Sequence, residues 1–238
     1  MSRNPLEGWP DRAEAQVIPP IPAATVVLLR DAPGGVETLM LRRNQRLDFA
    51  GGMWVFPGGR VDPVDVDPAA PDDHEATARR AAAREAAEEA ALVVDPHALH
   101  WFAHWVPPPV TPKRFATYFF VGRAPDGAVT VDGGEIHDHV WVRPADALAA
   151  RDRGEVQIVP PTWVTLHTIV EFATVDDALT SLAAREPEYF ETHIARLTEG
   201  GMVALWEGDV AYASLETESE GPRHRLWMVD DGWRYERT

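Results

Sequence analysis

The chain has 238 residues, with 38 acidic against 22 basic side chains, a formal charge of −16 at pH 7 and no cysteine. Such a surface repels polyphosphate backbones, which excludes nucleic-acid binding by bulk electrostatics, and the lack of thiols excludes disulfides, thiolate metal sites and cysteine nucleophiles. Hydrophobic residues make up 45%, enough for one substantial domain with an appendage, and with no signal core or spanning apolar run a soluble cytoplasmic protein without membrane partners is expected.

Residues 1–20 are polar and proline-bearing and read as an N-terminal arm. Residues 23–29 are apolar and β-branched, the pattern of a buried strand. The turn Asp31-Ala-Pro-Gly-Gly35 leads to a second strand over 36–41, so the pair forms a hairpin. Gly51-Gly52 and Pro57-Gly58-Gly59 bracket a short strand over 53–56. Residues 60–73 contain five aspartates and three prolines and read as an exposed loop, with Asp72 or Asp73 placed to cap a helix. Residues 74–92, rich in alanine with arginine and glutamate, are the strongest helix. Asp95-Pro96 ends it. Aromatic and β-branched residues at 100–106 and 115–121 predict two more strands, followed by a strand at 140–142 and a short helix over 144–150 that starts on proline.

From Pro160 the texture changes. Residues 162–172 and 175–185 predict two successive helices, and 202–206, 225–229 and 233–235 predict short strands. Trp163, Leu166, Ile169, Val170 and Leu179 recur at helical spacing, which core packing or a homodimer face explains. The organisation expected is a domain over 21–155 with an extension over 156–238 packed on it.

Three carboxylates carry the chemistry. Glu85, Glu88 and Glu89 stand at i, i+3 and i+4, within about 60° of arc on one helix face. Like charges so close repel, and a hard divalent cation reverses that sign. Mg²⁺ prefers a few carboxylates plus substrate phosphates. Taken alone, such a cluster is also the ordinary solvated face of an alanine-rich helix. Its neighbours point further: Phe56-Pro-Gly-Gly59 follows a strand, and Arg84 directly precedes the first glutamate.

Arg84-Glu-Ala-Ala-Glu-Glu-Ala-Ala-Leu92 resembles the core of the Nudix box. That pattern is Gly, five residues, Glu, seven residues, then Arg-Glu-aliphatic-x-Glu-Glu-x-Gly-aliphatic. Gly59 matches its opening glycine. The resemblance implies an α/β fold, a mixed sheet sandwiched between helices, here with a helical C-terminal extension. It implies Mg²⁺ or Mn²⁺ bound by Glu85, Glu88 and Glu89, with the Gly59 carbonyl as a further ligand and Arg84 orienting the glutamates by ion pairing. The chain departs from the pattern in three places. The gap before the helix is longer, Glu75 is the candidate for the first glutamate but lies one residue too far from Arg84, and Ala91 stands where glycine is usual, read as a mild packing change. The longer stretches Leu39-Met-Leu-Arg-Arg43, Phe49 to Gly59 and Thr111 to Phe120 resemble the Nudix branch that includes the coenzyme A diphosphatases. That branch's coenzyme A signature has an arginine near Asp48 and a small residue at Asn44, and both differ here.

The expected reaction is metal-assisted hydrolysis of a diphosphate in a nucleoside diphosphate linked to another moiety. Glu88, Glu89 or Glu135 could take the proton of the attacking water; Glu135 alternatively serves only as a turn residue beside Asp132. Arg114, Lys113 and Arg43 are candidates for gripping substrate phosphate, or exposed charges at strand ends. Trp54, Phe56, Trp101 and Trp105 could stack a base but fit a core better. His137 and His139 lack a third ligand, so no zinc site is assigned. A small diphosphate compound is the expected partner, with coenzyme A-type molecules first and ADP-ribose-like or dinucleotide substrates next; a non-catalytic ligand sensor on the same fold is the alternative.

Overall fold

The computed structural model describes residues 19–46, 50–109, 111 and 113–238. The expected N-terminal arm lies, up to residue 18, outside the described residues, as does Pro112.

Strand β1 (Ile21–Ala32) turns at Gly34 into β2 (Gly35–Arg43), an antiparallel hairpin with Leu29 opposite Thr38. Strands β3 (Trp54–Val55) and β4 (Gly58–Arg60) are short. Helix α1 (His74–Ala90) comes next, capped by the Asp73 carboxylate on the Ala76 N–H. Strands β5 (His100–Val106), β6 (Phe115–Arg123) and β7 (Ile136–Val142) complete the order up to α2 (Pro144–Asp152). Helices α3 (Pro160–Ile169) and α4 (Val175–Ala183) lead to β8 (Glu188–Glu191).

Among the described residues the main sheet has eight strands in the order β3-β2-β1-β6-β5-β8, with β4 beside β1 and β7 beside β2. It is mixed: β1 pairs with β6 in parallel, and β5 with β8. Alternation along β1 sorts the two faces. Val26 and Leu28 point to one side and join Ala78, Ala82 and Ala86 of α1, all essentially inaccessible. The alanines therefore form the buried stripe of the helix; having no bulk, they let α1 lie close against β1. Val27 and Leu29 point to the other side and pack with Trp163, Leu166 and Ile169 of α3 and Leu182 of α4. Helices thus cover both faces of one sheet. The four strands β9 (His193–Arg196), β10 (Met202–Leu205), β11 (His224–Val229) and β12 (Gly232–Arg237) form a separate antiparallel meander, whose Met202, Trp206 and Leu226 belong to the same core as α3. Arg225 and Asp209, both fully buried, pair at 2.6 Å and pin the loop between β10 and β11. Among the described residues no helix is long and apolar enough to cross a membrane.

Several boundaries differ from those that the sequence predicts. Strand β7 starts at Ile136 rather than 140, because its exposed polar residues are drawn into pairing with β2. Strands β4, β8 and β9 add to the predicted set. Gly58 and Gly59 pair with Thr25 and Ala24, so the glycine turn is itself a strand.

The end of α1 corrects the reading of Ala91 as a change in packing. Ala91 is the left-handed cap, at φ 56°, with its N–H on Ala87 at 3.1 Å and the Leu92 N–H on Ala86 at 3.2 Å. This geometry suits glycine because a Cβ is strained there. Ala91 is exposed, so Ala91→Gly loses no burial. The variant is expected to be more stable by about 1 kcal/mol, raising the thermal midpoint by roughly 2–4 °C. An unchanged or lower midpoint by calorimetry contradicts the strain.

Candidate active site

Helix α1 runs its second half past β4, and the site lies at that contact. A Cβ on Gly58 would come within 2.5 Å of the Ala24 carbonyl oxygen, so only glycine fits there. At Gly59 a Cβ would collide with the Glu85 carboxylate. The glycine turn is therefore a cradle that brings backbone against the helix glutamates. Glu89 is 4% exposed and accepts the Gly58 N–H at 2.9 Å through Oε2. Its Oε1 is buried and has no partner among the described residues.

Arg84 organises the rest. Its Nη1 donates to Glu85 at 2.8 Å and to Glu88 at 2.9 Å. Its Nε and Nη2 each reach an oxygen of Asp65 at 3.0 Å, and Nη2 also reaches the Arg60 carbonyl at 3.0 Å. Asp65 is only 3% exposed. It sits in a one-turn 3₁₀ helix (Pro63–Asp65), where its carboxylate accepts the Asp62 N–H at 2.8 Å and its carbonyl accepts Arg80 Nε at 2.5 Å.

This corrects two readings of the acidic segment. Residues 60–73 are not uniformly exposed, and Glu75 is not the first acid of the box. Glu75 lies in the first turn of α1 and pairs with Arg79. Asp65 instead holds the arginine, and it stands six residues after Gly59, the spacing that the box gives its first glutamate. Counting forward from Gly59 finds it; counting back from Arg84 fails because the extra residues lie between Asp65 and the helix.

Arg43 ends β2, and its Nη2 reaches Glu135 at 3.1 Å. Glu135 is the last residue before β7, in a turn held by Asp132, whose carboxylate accepts the N–H groups of Glu135 and Ile136 at 2.9 and 2.8 Å. The Glu135 carbonyl also accepts the Asn44 N–H at 2.8 Å, tying this turn to the end of β2. Glu135 and Arg43 lie near enough to Glu89 to bias its proton in opposite directions. The Nε of Arg43 is buried with no partner among the described residues.

The other candidates make different contacts. Arg114 is buried immediately before β6, and its guanidinium donates to the Pro107 carbonyl at 2.9 and 3.2 Å. Lys113 is exposed, with Nζ 5.6 Å from the Phe115 ring. Phe56 and Trp105 are core residues, Trp54 packs against the same core, and Trp101 is half-buried with its indole on the Ala103 carbonyl. His137 and His139 are exposed on β7.

Burial sets the electrostatics. It raises the Glu85 carboxyl above its ordinary range, only partly opposed by Arg84. Burial likewise pushes Glu89 up to about 8, against the Gly58 N–H that favours the ionised form, while Glu85 adds to the rise. Arg84 is held firmly charged, chiefly by Asp65. Among the described residues no three carboxylate or imidazole groups converge on a single point. The reason is visible: Glu85 and Glu88 are turned onto Arg84, and Glu89 onto Gly58. The donor set still fits a hard divalent cation, because Glu89 keeps an orphaned buried oxygen among the described residues and the Gly59 cradle meets the Glu85 carboxylate.

The metal-free chain should therefore show a pH-dependent stability. Folding raises the proton affinity of Glu89 from the ordinary 4.5 to about 8. Its contribution to stability is complete below about 4.5 and is lost as pH rises through about 8. Urea midpoints measured in chelator should fall across that window, and Glu89→Gln should flatten the fall. An equal slope in the variant refutes the assignment.

The sequence matches the NUDIX domain family over residues 19–169. The chain belongs to the Nudix family. The structure of a Nudix hydrolase from Alicyclobacillus acidocaldarius superposes with a TM-score of 0.65 at 24% identity, covering 72% of this chain and 100% of the other. The NUDIX domain of Shewanella oneidensis NrtR, complexed with ADP ribose, gives 0.48 at 15% identity, covering 72% and 98%. An Ap4A hydrolase of C. elegans in a binary complex gives 0.43 at 22% identity, covering 68% and 98%. No curated protein matches this chain.

Proposed function

We propose that this chain is a Mg²⁺- or Mn²⁺-dependent pyrophosphohydrolase that cleaves a diphosphate joining a nucleoside to a second moiety. The observation that carries the reading is Glu89: a buried carboxylate, one oxygen without a partner among the described residues, beside Glu85 and the glycine cradle. Glu85, Glu88 and Glu89, with the Gly59 carbonyl, would hold the cation. A bound divalent ion there supplies charge neutralisation on the bridging phosphates and acidifies a water.

The chain's own residues do the rest. Arg84, anchored on Asp65, fixes the rotamers of Glu85 and Glu88 by charge-assisted hydrogen bonds. Arg43 has a buried Nε without a partner among the described residues and an Nη2 shared with Glu135, so it can pass from that carboxylate to a substrate phosphate. Glu135 is then released as the proton acceptor for the attacking water, with Glu88 or Glu89 as the alternatives. Coenzyme A-type molecules are the first substrate class, supported by the stretches around Arg43 and Gly59; ADP-ribose-like and dinucleotide compounds come second.

The test is a panel of diphosphates, coenzyme A, ADP-ribose and diadenosine polyphosphates included, assayed for phosphate-bearing products. Turnover is expected with Mg²⁺ or Mn²⁺, absent in chelator and restored on adding the ion back. Undiminished turnover in chelator, or none on any diphosphate with metal present, refutes the reading.

A further inference from the structure

A cavity of about 50 Å³ lies on the face of the main sheet opposite α1. Trp105, Phe190 and Glu188 of β5 and β8 line one wall, and Val164, Thr165 and Leu182 of α3 and α4 line the other. The volume exceeds the roughly 10–15 Å³ that one water needs. Trp105 is 4% exposed, its ring stacked on Phe190 at 3.8 Å, and its indole N–H has no acceptor among the described residues. Buried donors in native proteins almost always have a partner, so something placed in this cavity is expected to accept from Trp105.

The charges restrict what that is. Glu188 is already balanced by Arg237 at 2.6 Å, and Glu186 stands at the cavity beside it. Arg185 also lines the cavity and offsets Glu186, so the lining carries no net charge and favours an anion no more than a cation. Either ion finds walls of Val164, Leu182 and Phe190, which solvate it poorly. A compact neutral molecule with a carbonyl oxygen and an N–H satisfies both polar sides.

We propose that this cavity is a second ligand site, separate from the glutamate cluster, that takes a small carboxamide. Its carbonyl oxygen accepts from the Trp105 indole, its N–H faces Glu188, and its apolar part rests on Phe190 and Leu182. The site does not rest on the hydrolytic reading.

The test uses the full chain labelled with ¹⁵N, whose nine tryptophans give indole resonances. Trp105→Phe assigns the Trp105 signal. Acetamide is titrated, with acetate as the anionic control. A saturable shift of the Trp105 indole with acetamide, in the millimolar range, is expected, with little response from the other tryptophans or to acetate. Val164→Phe, which fills the cavity, should abolish the shift while the remaining indoles report an intact fold. No shift with acetamide, a uniform drift of all indoles, or a shift that survives Val164→Phe overturns the site and leaves water as its occupant. Should Trp105→Phe fail to fold, ¹⁹F-tryptophan labelling with Val164→Phe alone decides the matter.

Discussion

Glu89→Gln is expected to lower kcat/KM by about 10³-fold or more while the fold persists. The substitution keeps size and shape, and the amide oxygen can still accept the Gly58 N–H that Glu89 holds at 2.9 Å. It removes the negative charge on a buried oxygen. An ion held at such a site contributes several kcal/mol of transition-state stabilisation, and each 1.36 kcal/mol is about tenfold in rate. Circular dichroism should be unchanged and, in chelator at pH near 8, stability should rise, since no buried charge then has to form. Glu88→Gln is expected to cost activity as well, through a side chain that is exposed and shared with Arg84. Near-wild-type rates in both variants would remove the chemistry assigned to the cluster.

Asp65→Ala is the second large effect, and it separates anchoring from chemistry. The Arg84 guanidinium makes two bonds to Asp65 and one to each of Glu85 and Glu88. Removing the partner of a fully buried pair costs about 3–5 kcal/mol when the remaining charge is left uncompensated, whereas Arg84 would keep Glu85 and Glu88. Arg84 keeps some solvent contact, its side chain being 20% exposed, so about 2–3 kcal/mol is the discounted expectation. Loss of an orienting group typically reduces metal affinity or activity by about 10–100-fold. Asp65→Glu should recover part of both. Glu75→Ala, by contrast, should stay within about 0.5 kcal/mol of wild type, because the Glu75 side chain is 43% exposed and Arg79 keeps the Leu99 carbonyl as a partner. Urea unfolding and steady-state kinetics on the three variants decide it: equal behaviour of Asp65→Ala and Glu75→Ala would sink the anchoring role.

How much of the fold is legible in the sequence depends on the range of the interactions involved. The apolar run in β1 and the alanine-rich pattern of α1 encode burial and helix formation within a few residues, so both appear where expected. The same short range places Glu85, Glu88 and Glu89 on one helical face. Pairing across the chain is not encoded that way. Strand β8 joins β5 from some 80 residues further on, in parallel, and nothing in the four residues Glu188–Glu191 specifies that edge. Glu135 reads either as a candidate proton acceptor or as a turn residue, and only pairing of β7 with β2 brings it to Arg43.

The box shows both regimes at once. Residue types and helical periodicity alone determined that three acids share a stripe and that an arginine precedes them. The tertiary structure alone decided which acid anchors that arginine, because the extended segment after Asp65 breaks the link between sequence distance and contact. It also decided that Glu89 is buried against Gly58 and raised to about 8. Desolvation depends on what is packed around a group, and that is a property of the folded chain rather than of any local run of residues.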